Sequence, residues 1–133
     1  MKNHQLTAQG TFEVKLTPEG EDKVGGIIFG KYSVEKKFRG DLEAASTVDM
    51  LSATSDDGSG AYVAIERVNG TLHGRSGSFV LMHNGTRTKT SQQLTITAVP
   101  GCGAGELVGL EGTMTINIVE GEHFYDFEYS LPK

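Results

Sequence analysis

Gly10-Thr11-Phe12-Glu13-Val14-Lys15-Leu16 sets Phe12, Val14 and Leu16 on one side of an extended chain and Thr11, Glu13 and Lys15 on the other. Successive side chains of a strand point to opposite faces, so this period of two is the mark of a half-buried β-strand. The period recurs downstream. Residues 27–39 carry Tyr32, Val34, Lys36 and Phe38 on a shared face, and Leu42, Ala44, Ser46, Val48 and Met50 alternate with Glu43, Ala45, Thr47, Asp49 and Leu51. The Leu-Glu-Ala-Ala-Ser opening of that run has fair helix propensity, but no cap precedes it and the alternation continues, so it reads as strand. Further strands are expected at 61–73, at 78–83, at 94–99, at 113–119 through Met114, Ile116 and Ile118, and at 123–131, where Tyr125, Phe127, Tyr129 and Leu131 share an apolar face.

Turn chemistry separates these runs. The chain has 18 glycines and 3 prolines, and Gly supplies the positive φ that tight reversals demand. Residues 17–22 (Thr-Pro-Glu-Gly-Glu-Asp) read as a polar connection, and 55–60, 73–77, 100–103 and 120–122 as reversals. Asn69-Gly70 and Asn84-Gly85 read as hairpin turns; each also begins a glycosylation sequon, which has no consequence without a secretory signal. About eight short strands with such turns make an all-β protein, a sandwich or an up-and-down barrel, and the short connections favour a small closed antiparallel β-barrel. No repeat or linker divides the chain, so residues 1–133 are read as one domain, with 1–9 as a loose tail.

The formal charge is −5 with both signs mixed along the length. Nothing resembles the basic footprint that neutralises phosphates, so nucleic acid is not an expected partner. No run approaches the roughly 18 apolar residues of a membrane span, and the N-terminal stretch lacks a signal-peptide core. A single cysteine, Cys102, excludes an intramolecular disulfide and suits a reducing compartment; a cytoplasmic location is expected.

Glu66 and Arg67 are adjacent in a strand of Tyr, Val, Ala and Ile, so one of them must face the buried side. An inward Glu66 either pairs across the sheet or sits in an apolar cavity with a raised pKa, available for acid–base work. His83 shares a face with Phe79 and Leu81 and is a second proton-handling candidate. Tyr125 offers a hydroxyl on an apolar face, and Arg75, in a Gly-rich turn, could clamp a carboxylate at a barrel mouth. His4, His73, His83 and His123 show no ligand spacing, so no metal is expected. Gly101-Cys102-Gly103-Ala104-Gly105 lacks the endings of phosphate-binding loops, and Cys102 has no neighbour in sequence to lower its pKa. No cofactor is expected.

Two stretches together resemble an uncharacterised bacterial family: Tyr62-Val63-Ala64-Ile65-Glu66-Arg67-Val68 through Gly74-Arg75-Ser76-Gly77-Ser78-Phe79 to His83, and Gly103-Ala104-Gly105-Glu106-Leu107 through Gly109-Leu110 to Gly112-Thr113-Met114. The family is known only as a domain of unknown function with an allene oxide cyclase-like barrel, and the likeness runs from about Gly10 to Leu131. The glycines at 103, 105, 109 and 112 are similar to those that allene oxide cyclases and dirigent proteins carry before a late barrel strand. This resemblance implies the barrel and no activity, since the cyclases' catalytic groups align with no particular positions here.

Three readings of function follow. In the first, a binding barrel holds a small apolar or amphipathic molecule against Tyr62, Phe79, Leu81 and Tyr125, with Glu66, Arg75 and His83 orienting its polar end. In the second, the barrel is a cofactor-free isomerase or cyclase in which Glu66, Tyr125 or His83 moves a proton. In the third, the barrel is filled and acts by homo-oligomerisation or through another protein.

Overall fold

Unequal strand lengths decide the shape of this molecule. A computed structural model describes residues 5–132. Its strands are β1 (Leu6–Val24), β2 (Ile27–Gly40), β3 (Leu42–Thr54), β4 (Gly60–Leu72), β5 (Arg75–Arg87), β6 (Gln92–Ala98), β7 (Ala104–Gly105), β8 (Glu111–Val119) and β9 (Glu122–Ser130). Among the described residues there is no helix, and so none long and apolar enough to cross a membrane. Eight strands pair antiparallel in chain order, and β9 returns to β1 to close the barrel. The two-residue β7 lies in the β6–β8 connection and pairs with β5.

The ladder is staggered. Traced from Ala8 through Phe127, Met114, Ile96, His83, Ala64, Met50 and Tyr32, it returns to β1 at Pro18, ten residues beyond its start. An eight-stranded ring with such a stagger has tilted strands and an interior that side chains just fill, or that holds one small ligand.

Both situations occur here. In the lower half, Phe38, Leu42, Leu72, Leu81, Phe127 and Tyr129 are buried in one continuous core. Phe127 stacks between Phe79 and Tyr129 with centroids 5.5 and 5.4 Å away. The β6–β8 connection folds inward so that Leu107 and Leu110 join this core. In the upper half the ring opens. Pairing of β1 with β9 ends at Phe12↔His123, and β6 pairs with β8 only at Ile96↔Met114 and Thr97↔Thr113. Beyond that level the wall is the curved sheet β1 to β6, and its inward residues Val14, Leu16 and Leu94 are exposed.

Four expectations are corrected. Residues 17–22 are strand, carrying a bulge between Pro18 and Gly20; β1 has a single neighbour there, the edge position that tolerates a proline. Residues 6–9 are paired with β9 rather than loose, whereas residues 1–4, His4 among them, lie outside the described residues. Asn69-Gly70 and Asn84-Gly85 are not turns but lie inside β4 and β5. A Cβ at Gly70 would stand 2.2 Å from the Glu43 carbonyl oxygen, and one at Gly85 2.6 Å from the Tyr62 ring, so these glycines permit close approach rather than reversal. The reversals expected at 73–77 and 120–122 are turns at His73-Gly74 and Glu120-Gly121, where φ is positive, and a further tight connection is closed by Thr88 and Ser91.

Candidate functional site

At the boundary between the filled and the open half, four polar side chains meet. Glu66 points inward from the middle of β4 and is fully buried, while Arg67 points out and lies 4.0 Å from Asp49. Lys36 of β2 donates to Glu66 Oε1 at 3.2 Å, and His83 Nε2 approaches the same oxygen at 2.7 Å. Ser46 Oγ of β3 donates to Oε2 at 2.6 Å. Above them the Tyr62 hydroxyl lies 3.4 Å from His83 Nδ1. The Lys36 ammonium also sits over the Phe12 ring, 5.1 Å from its centroid, and 5.9 Å from that of Phe38.

Burial pushes the Glu66 carboxyl up, but the His83 hydrogen bond, the Lys36 charge and the Ser46 hydrogen bond together outweigh it and hold the group below its ordinary 4.5. The carboxyl is thus ionised at neutral pH, the opposite of the raised value that acid–base work by Glu66 needs. Across the sheet it is paired with Lys36 of β2 and Ser46 of β3. An ionised carboxylate only accepts, so His83 carries its proton on Nε2. Nδ1 then accepts from the Tyr62 O–H when the ring is neutral. Burial, and then the Glu66 charge, raises the Tyr62 phenol. Tyr62, His83 and Glu66 therefore form a hydrogen-bonded line from the open half into the floor, with a phenol that stays protonated at its outer end.

The other sequence candidates lie elsewhere. Phe79 and Leu81 are packed in the filled core. Tyr125 is buried there too: its hydroxyl accepts from the Leu42 amide at 2.9 Å and faces the Arg39 carbonyl at 3.0 Å, pinning the β2–β3 turn. Burial chiefly pushes this phenol up to about 12, against the Leu42 hydrogen bond. Arg75 begins β5 at the closed end, beside the turn where His73 Nδ1 meets the Tyr129 hydroxyl and His73 Nε2 lies 3.6 Å from Asp41. It is not at the mouth; Arg87, at the other end of the same strand, is. Lys36 and Ser46 complete the floor; the signal for both is their inward position in alternating runs. Among the described residues no group of three His, Cys, Asp or Glu side chains is placed to hold a metal ion.

Two hollows flank this site. One, of about 210 Å³, lies at the mouth over Gly60 and Gly85, walled by Tyr62, Leu94, Arg87 and Gln92. The other, of about 700 Å³, is a depression on the outside of the wall, where Leu51, Val63, Ile65 and Met82 are exposed between Lys31, Asp49 and Asn84.

No curated protein matches the chain. A solved structure from Shewanella oneidensis MR-1, described as a protein with unknown function from the DUF3224 family, is 48% identical with a TM-score of 0.91, the match covering 98% of this chain and 100% of that one. The model of that family, described as protein of unknown function (DUF3224), matches residues 8–129. The nearly full-length barrel and the sequence match agree, and the chain belongs to the DUF3224 family.

Proposed function

We propose that the open half of the barrel is a cup for one small amphipathic molecule, its apolar part lying on Val14, Leu16 and Leu94. The observation that carries this reading is the exposure of inward-facing apolar side chains, 53% at Leu16 and 43% at Leu94, directly above a floor whose polar groups are all satisfied. Apolar surface left open on the concave side of a sheet is what ligand cavities present, and the few polar groups beside it set orientation. If turnover accompanies binding, the group placed to exchange a proton with the bound molecule is Tyr62, which lines the hollow at the mouth, rather than the buried Glu66 or Tyr125. A reducing, cytoplasmic setting fits the lone and exposed Cys102.

Calorimetric titration with octanol tests the cup. One-to-one binding with a negative heat-capacity change is expected, because burial of apolar surface gives that sign. Leu16→Asn and Leu94→Asn, both at exposed positions, should weaken it without unfolding the chain. Absence of saturable binding would sink the proposal.

A second reading has its own observation. The exposed Leu51, Val63, Ile65 and Met82 form a contiguous apolar area on the outer wall, the kind of patch that marks association surfaces. Sedimentation of wild type against Met82→Lys distinguishes a homo-oligomer built on that wall from a monomer.

A further inference from the structure

Resting on the proposed cup, we infer that the hollow at its rim receives a carboxylate, so that the ligand class is amphipathic monocarboxylates bound head-outward, with Arg87 as the partner of the head. Two adjacent strands both carry glycine on the inner face here, at Gly60 in β4 and Gly85 in β5. The Tyr62 ring lies against the sheet at Gly85, and a hollow of about 210 Å³ remains between Tyr62 and Leu94 on the deep side and Arg87 and Gln92 on the solvent side. Ser52 and Thr54 of β3 close its flank. The glycines cannot gain side chains without moving something: a Cβ at Gly60 would stand 2.3 Å from the Ala53 carbonyl oxygen, and one at Gly85 2.6 Å from the Tyr62 ring. The hollow is thus built by the chain's own packing.

Its lining divides by chemistry. Leu94 and the Tyr62 ring offer an apolar wall, whereas Arg87, Gln92, Ser52 and Thr54 offer donors. Arg87 is the only cation in the lining, and among the described residues it makes no ion pair. Its planar fork matches a carboxylate through two parallel hydrogen bonds, which a neutral amide or alcohol cannot reproduce.

The floor is the competing place for an anionic head, and its charges argue against it. The Glu66 carboxylate already holds Lys36 and His83. A second anion beside it would meet like charge at short range in a poorly screened interior, with the nearest cation already engaged. Head-outward binding puts the anion at the unpaired cation and leaves the apolar body on the uncharged part of the cup.

Paired probes test this with the full chain: para-butylbenzoate and its neutral isostere para-butylbenzamide, titrated by calorimetry into wild type and Arg87→Gln. The wild type is expected to prefer the carboxylate by about tenfold, as a charged hydrogen-bonded pair implies. In Arg87→Gln that preference should vanish, the carboxylate binding no better than the benzamide; Arg87 is exposed, so the variant folds. Equal binding of both probes by wild type, or a preference that survives Arg87→Gln, overturns the carboxylate subsite and leaves the cup standing. Binding of neither probe overturns both.

Discussion

At Phe127 the inward face of the barrel is a stack of aromatic rings with no exposed surface, and at Leu16 the same face of the same barrel is more than half open to solvent. Both are products of one alternating pattern. What separates them is the reach of the strands around them: β8 and β9 end near Phe12, while β1 to β6 continue. Where eight strands close the ring the interior is stability; where six remain, Val34, Val48 and Ala64 form a small second core and Val14, Leu16 and Leu94 are accessible surface. The lesson is that the apolar periodicity of a strand does not distinguish core from binding surface, and only its neighbours do.

The contrast should be largest in unfolding free energy. Phe127→Ala removes a ring from the closed core and is expected to cost about 3–5 kcal/mol by urea denaturation. Glu66→Gln strands the Lys36 charge in the floor and should cost about 3 kcal/mol; Lys36→Met combined with Glu66→Gln should recover part of it, and a double variant no better than the single would show that the pair does not couple.

The floor also sets an acid limit. Because the folded Glu66 carboxyl titrates below its ordinary 4.5, its contribution is fully present above that value and is lost as pH falls through the folded pKa. Wild-type stability should therefore fall below about pH 4.5 more steeply than that of Glu66→Gln, which has no such group. Parallel acid titrations of the two would contradict the ionised floor.

Smaller effects follow. Tyr125→Phe leaves the buried Leu42 amide without its acceptor and should cost about 1–3 kcal/mol. Leu16→Asn, on the open side, should change stability by no more than about 0.5 kcal/mol while weakening octanol binding. A loss at Leu16 as large as that at Phe127 would erase the distinction between the halves.

Much of the barrel was legible in the chain. Alternation placed Tyr125, Phe127 and Tyr129 inward, as they are, and the adjacency of Glu66 and Arg67 posed the right question about the floor. Lys36, on the inward face of its run between Val34 and Phe38, carried the signal of a buried cation that needs a partner. Which partner it finds was not legible, because Glu66 stands two strands away on β4, across Ser46 and Val48 of β3, and no single hairpin relates the two. The ends of the barrel were misassigned for a local reason. Reading Asn84-Gly85 as a turn cuts β5 short, which turns Arg87 into a loop residue and leaves Arg75 as the apparent arginine of the mouth. A glycine that allows the Tyr62 ring to lie against the sheet has the same letter as one that reverses the chain.

Backbone-amide NMR during a titration with octanol tests the division of the barrel most directly. Shifts should cluster at Leu16, Tyr62, Ala64 and Leu94, with Phe79, Leu107 and Phe127 unmoved. Shifts confined to Leu51, Val63 and Met82 on the outer wall, or spread evenly through the closed core, would contradict the account.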